Sequence, residues 1–176
     1  MTTQIILIGF MGTGKTTVGQ AIAKRLGWKQ VDVDHCIVEA TGKEIRDIFR
    51  EQGEEGFRAL ETKMLAQVLN GSIPQVVTTG GGVVTRKQNV ELIVRHGLAV
   101  ALRATPETIV ARLHADATRP LLAGDVERNV RRIMQEREGL YDFAPVQLVT
   151  DGKSVAQIVD ELWAHPAFRR FLTQND

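Results

Sequence analysis

The stretch Gly9-Phe10-Met11-Gly12-Thr13-Gly14-Lys15-Thr16 has the form G-x-x-x-x-G-K-T and follows an apolar run, residues 4–8, of the kind that forms a strand buried on both faces. Behind it Val18, Ile22 and Leu26 recur at helical spacing, so the glycine-rich segment stands at a strand-to-helix turn. That context constrains the chain strongly. It calls for an α/β unit whose loop amides converge on a phosphate at the positive end of a helix. Gly9, Gly12 and Gly14 allow the backbone to bend around the anion, Lys15 supplies a point charge for the β- and γ-phosphates, and the Thr16 hydroxyl is a ligand for Mg²⁺.

The remaining sequence extends this unit. Gly27 stops the first helix, and residues 30–34 (Gln-Val-Asp-Val-Asp) read as a second strand ending in two carboxylates. Short helices are expected over 34–40 and 44–50, and a longer one over 54–69 with Phe57, Leu60, Met64 and Val68 on one stripe. Strands at 75–79, 98–102 and 146–150 alternate with helices at 86–96, 106–113, 126–141 and 154–165. Residues 114–124 lose periodicity and read as a flap, and 166–176 as a loosely held tail. Repeated βα units imply an α/β fold with a five-stranded parallel sheet, helices on both faces and ligands at the carboxyl ends of the strands. The 176 residues are expected to form one domain.

Composition narrows the partners. A formal charge of +1 with 43% hydrophobic and 24% charged residues gives no global attraction to nucleic acid or an anionic membrane, so anion binding has to be local. No apolar run reaches 18 residues, the N-terminus lacks a basic leader, and Cys36 is the lone cysteine; these features suit a cytoplasmic protein. Cys36 lacks the company of a catalytic thiol and suits a buried apolar role, and Trp28 and Trp163 suit packing rather than recognition.

A GTPase would carry an Asn-Lys-x-Asp guanine motif, which is missing, and a large ATPase would close an apolar strand on Asp, which neither 77–79 nor 100–102 does. The acidic pair Asp32 and Asp34 follows the second strand instead. If extended, that segment puts both side chains on one side, with Asp32 near hydrated Mg²⁺ and Asp34 facing an acceptor hydroxyl; the plain alternative is a solvated turn with two helix caps. Spacing alone makes Arg58 a helical partner of Glu54 and Glu61, worth about 0.2–0.5 kcal/mol each. Arg137 falls four after Ile133 and four before Tyr141, on an apolar stripe where a guanidinium needs an anion. Gly80-Gly81-Gly82 at a strand end allows close approach by a ligand or forms an ordinary loop.

Taken in order, the phosphate loop with Thr17-Val18-Gly19, Asp32-x-Asp34, Gly53-Glu54 with Phe57-Arg58 and Glu61, the three glycines, Arg119-Pro120-Leu121-Leu122, and Glu136-Arg137 with Leu140-Tyr141 resemble the shikimate kinase family. The resemblance implies a nucleoside-monophosphate-kinase-like phosphate-loop kinase, a monomer, with a substrate-binding insert at about 34–62 and a lid at about 114–124. It implies transfer of the γ-phosphoryl group of ATP to the 3-hydroxyl of shikimate in chorismate and aromatic amino acid biosynthesis. On this resemblance Gly12, Thr13, Gly14, Lys15, Thr16 and Thr17 hold ATP, Thr16 and Asp32 hold Mg²⁺, and Lys15, Asp34 and Arg119 are catalytic. Asp34, Arg58, Gly80, Gly81, Gly82 and Arg137 bind shikimate; Arg119 closes on the phosphates, and Arg112 and Lys153 flank the adenine. The segment 142–145 is less acidic than is usual in the family. Two other readings share the phosphate loop: a gluconate-type small-metabolite kinase, and a catalytically silent nucleotide-binding module.

Overall fold

The N-terminal apolar run becomes the central strand of a sheet, because only a position flanked on both sides and covered on both faces buries six consecutive residues. A computed structural model describes residues 4–115 and 125–175. In it, β1 (Gln4–Gly9), β2 (Lys29–Asp32), β3 (Gln75–Thr78), β4 (Gly97–Arg103) and β5 (Val146–Val149) pair in the order β2-β3-β1-β4-β5, with every pairing parallel. The alternation expected from sequence is therefore borne out.

Alternate side chains of the strands point to opposite layers. Ile6, Ile8, Val77 and Ala101 pack under α2 (Val33–Thr41), α3 (Ile45–Leu69) and α4 (Lys87–His96). Ile5, Leu7, Val76 and Val100 pack under α1 (Lys15–Leu26), α7 (Val155–Ala164) and α8 (Pro166–Asn175). A third cluster, Phe10, Ile109, Leu113 and Val130, joins the phosphate loop to α5 (Pro106–Ala115) and α6 (Val126–Glu136). The helix α1 lies close on the sheet because residue 19 is glycine: a Cβ there would come within 2.7 Å of Thr78 Cγ2. Trp28 and Trp163 pack against the second layer, as expected.

Four local expectations are corrected. The second strand stops at Asp32, and Val33 and Asp34 already belong to α2, because the Asp32 side chain accepts a hydrogen bond from His35 N at 2.9 Å and starts the helix at once. The helix expected over 126–141 stops at Glu136; Arg137 is its C-terminal cap and the chain turns at Gly139, whose φ is +78°. The supposed tail is the helix α8, held by the fully buried Phe168 against Trp163. Cys36 is half-buried rather than buried. The short helix expected over 44–50 and the longer one over 54–69 run together as α3 but meet at Gly53, whose φ of 70° and ψ of −177° only glycine adopts readily. Most of the expected flap, residues 116–124, lies outside the described residues, and Arg119 with it.

Candidate active site

The site lies at the carboxyl end of the sheet, where chain reversals leave a crevice. Gly14 takes a left-handed conformation, φ 98°, at the cap of α1, so the loop's amides and the start of that helix face one cavity of about 420 Å³. Lys15, Thr16, Thr17, Asp32 and Asp34 line it, together with Gly80 and Gly81. Lys15 is 9% exposed, and its Nζ donates to Gly9 O at 2.8 Å and Phe10 O at 2.9 Å, which holds the ammonium inside the loop it serves. The Thr13 hydroxyl donates to Phe10 O at 2.7 Å and braces the same bend. Asp32 accepts from the Thr78 hydroxyl at 2.6 Å as well as from His35 N, so its carboxylate is fixed by two different elements.

A second cavity of about 250 Å³ adjoins the first, and Met11, Asp34, Gly80 and Gly81 line both. Its other walls are Phe49 and Phe57, stacked with centroids 4.5 Å apart across the Gly53 bend, and the charged trio Arg58, Glu61 and Arg137. Each of the three glycines abuts a charged group. A Cβ on Gly80 would lie 3.0 Å from Glu61 Oε1 and 3.2 Å from Asp34 Oδ1, on Gly81 3.4 Å from Arg137 Nη1, and on Gly82 2.1 Å from Arg58 Nη2. A glycine-free turn would fill the space those charges enclose.

The helical pairing foreseen for Arg58 is present, with Nη1 2.8 Å from Glu61 and Nε 3.6 Å from Glu54. It is not a surface pair. Arg58 is 7% exposed and Glu61 fully buried. Arg137 and Ile133 line the same cavity, and the Arg137 guanidinium lies 5.5 Å from the Phe10 ring. Among the described residues, six buried side-chain polar atoms lack a hydrogen-bond partner, and four of them converge here: Asp34 Oδ1, Arg58 Nε, Glu61 Oε1 and Arg137 Nη1. Leaving such atoms unmatched costs about 1–3 kcal/mol apiece, a cost typical of a site built for a polar ligand.

Burial raises both carboxyls that flank Gly80, Asp34 and Glu61. Burial, reinforced by Asp32 and Glu61, raises the Asp34 carboxyl to about 6, against the opposing pull of Lys15 and Arg58. Burial likewise pushes Glu61 up, and Arg58 pulls it back. A carboxylate that exchanges its proton near neutrality at the junction of two cavities is suited to proton transfer.

On the far side of the phosphate loop, Arg112 donates to Gly12 O at 2.9 Å and to Thr150 Oγ1 at 3.1 Å. It borders a cavity of about 270 Å³ with Lys153, whose Nζ pairs with Glu161 at 2.8 Å. Asp151 accepts from Thr105 N at 3.0 Å and ties this loop to the start of α5. Sequence reasoning thus named most of this lining, but it missed Glu61 and Phe49 as site walls. The signal for Glu61 was its spacing from Arg58, which by itself cannot distinguish a buried pair from an exposed one.

A parallel five-stranded sheet with this loop, a second cavity across Gly80 and Gly81 with charged groups in its walls, and helices on both faces defines a phosphate-loop kinase for a small acceptor. The family model described as shikimate kinase matches residues 11–165. A shikimate kinase of Geobacter sulfurreducens is 43% identical over 159 residues, covering 90% of this chain and 87% of the relative. One of Moorella thermoacetica is 40% identical over 158 residues, covering 90% and 91%. Among solved structures, shikimate kinase from Acinetobacter baumannii in complex with shikimate superposes with a TM-score of 0.86 at 34% identity, covering 93% of this chain and 92% of that one. The chain belongs to the shikimate kinase family and is an ATP-using kinase.

Proposed function

We propose that the protein transfers the γ-phosphoryl group of ATP to the 3-hydroxyl of shikimate, giving shikimate 3-phosphate and ADP in the chorismate route to aromatic amino acids. The observation that carries this reading is the convergence of four unmatched buried polar atoms beside the phosphate loop. Two are cationic nitrogens of arginines that line one small cavity and two are carboxylate oxygens, a pattern complementary to a compact acid bearing hydroxyl groups.

Arg58 and Arg137 grip the acceptor carboxylate, with Gly80, Gly81 and Gly82 forming the floor and the stacked Phe49 and Phe57 a wall against the ring. Asp34, at the junction of the cavities, takes the proton as the acceptor oxygen bonds to the γ-phosphorus and the bond to ADP breaks. Gly12, Thr13, Gly14, Lys15, Thr16 and Thr17 hold the phosphates, and Arg112 and Lys153 flank the adenine. Among the described residues no group of three His, Cys, Asp or Glu side chains is placed to hold a metal ion. Thr16 and Asp32, together in the first cavity, would hold Mg²⁺, which would supply neutralisation of the phosphate charge there. Residues 34–62 serve as the acceptor-binding insert and 114–124 as the lid, from which Arg119 stabilises the charge in transfer. The enzyme acts as a cytoplasmic monomer.

The test is Mg²⁺-dependent ADP release from ATP with shikimate, gluconate or no acceptor in parallel. Stimulation by shikimate alone is expected. Stimulation by gluconate, equal release without acceptor, or no release would overturn the reading in favour of a sugar-acid kinase, an ATPase or a silent nucleotide-binding module respectively.

A further inference from the structure

Tyr141 belongs to none of the binding groups above, yet its hydroxyl reaches the floor between the two cavities. It is 5% exposed, and its hydroxyl donates to Gly81 O at 2.6 Å. Gly81 lines both the phosphate cavity and the acceptor cavity, whereas Tyr141 borders neither and stands behind the floor. We propose that Tyr141 is a positioning residue for the acceptor, which fixes the Gly81–Gly82 peptide and the Arg137 guanidinium relative to each other.

The argument starts from what holds Tyr141. Its carbonyl accepts from Gln147 Nε2 of β5 at 3.0 Å, and Gln147 Oε1 accepts from Arg103 Nε of β4 at 2.8 Å. The Arg103 guanidinium lies 5.7 Å from the tyrosine ring and also binds Asp142. Tyr141 is therefore anchored to two adjacent strands, and its ring projects from a rigid base. Burial pushes its phenol up, so the hydroxyl keeps the proton that it donates.

What it fixes follows from the peptide plane. The described chain has no cis peptide bond, so a Gly81 carbonyl turned to Tyr141 leaves the Gly82 N–H on the opposite edge of the same plane. Three consecutive glycines have little intrinsic preference for one orientation, and an external hydrogen bond is the economical way to select it. Arg137 precedes Tyr141 by four residues across the Gly139 turn, and its Nη1 lies against Gly81. One hydrogen bond thus sets the spacing between a carboxylate grip and the glycine floor.

The inference rests on shikimate as the acceptor, and steady-state kinetics of wild type and Tyr141→Phe, run side by side with shikimate and ATP each varied, tests both. The phenylalanine keeps the ring and its packing. Loss of one hydrogen bond at the floor is expected to raise KM for shikimate about 5–10-fold and leave KM for ATP within about twofold. In an Arg137→Ala background the same change is expected to have less than about half that effect on a logarithmic scale, because both residues act on one contact. A shikimate KM unchanged within about twofold, or equal rises in both constants with a lowered Tm, overturns the positioning role. If wild type itself shows no shikimate-stimulated release, the acceptor assignment fails first and this inference falls with it.

Discussion

The nucleotide half and the acceptor half of the site solve the problem of binding a polar ligand in different ways. The first is built around one contiguous segment, residues 9–17, with backbone amides and a helix end, and its lysine is hydrogen-bonded to the loop's own carbonyls. The second is assembled from α2, α3, the glycine run and the end of α6, and leaves four buried polar atoms unmatched. A loop that meets the same phosphates whatever the acceptor can be satisfied in advance. A pocket that must discriminate one acceptor gains specificity by making the wrong ligand leave charges unpaired.

The sharpest way to break this contrast is Asp34→Asn. Turnover is expected to fall by about 10²–10⁴-fold, the usual contribution of a positioned acid–base group. Stability is expected to move the other way. Because the folded carboxyl titrates near 6 and the unfolded one near 3.8, the folded state binds more protons between those values. The group's contribution to stability is therefore fully present below about pH 4 and is lost as pH rises through 6. Asn is thus expected to stabilise the protein by up to about 3 kcal/mol at pH 7–8 and by nothing at pH 3.5. Thermal melts across pH check this, and a stability gain independent of pH would show that Asp34 is not held in an unfavourable state. The wild-type kcat/KM is correspondingly expected to rise with pH through about 6.

On the nucleotide side Lys15→Met should lower kcat by about 10²–10³-fold, as loss of one donor to the transferring charge does, with no pH-dependent gain in stability. A lysine variant that stabilised as Asp34→Asn does would erase the contrast between the halves. The two arginines sharpen it further. Arg137→Ala is expected to raise KM for shikimate about 10–100-fold, with stability changed by less than about 0.5 kcal/mol. Arg58→Ala should do the same to KM but also destabilise by about 3 kcal/mol, because it leaves the buried Glu61 without its partner. Equal melting temperatures for the two variants would mean that Glu61 takes up a proton instead. Smallest is Lys153→Ala. Its partly exposed pair with Glu161 is worth about 0–1 kcal/mol, and the expected change is a rise in KM for ATP of less than about tenfold with KM for shikimate untouched.

Local pattern made the nucleotide half legible because each requirement there is met within a few residues: the apolar run, the glycines, Lys15, Thr16 and the helical spacing behind them. The same locality explains the parallel sheet, since each strand and helix declares its own periodicity. It also explains the errors at element ends. Val33 and Asp34 resemble strand residues until the N-cap bond from His35 N to Asp32 is seen, and Arg137 resembles a helix residue until the Gly139 turn is seen. The spacing in 166–175 gives little signal of its own because the segment carries no flanking element, and Phe168 seated beside Trp163 shows that α8 is held.

By itself the sequence determined the phosphate loop, the order of the elements and the residue types that carry the chemistry. It did so because these depend on contiguous residues and on periods of two and 3.6. Tertiary structure alone decided that Arg58 and Glu61 form a buried pair, that Asp34 sits where both cavities meet, and that Tyr141 reaches Gly81 across 60 residues. Burial and long-range proximity are properties of the packed sheet and its layers. The free energy of a charge depends on them far more than on its neighbours in sequence.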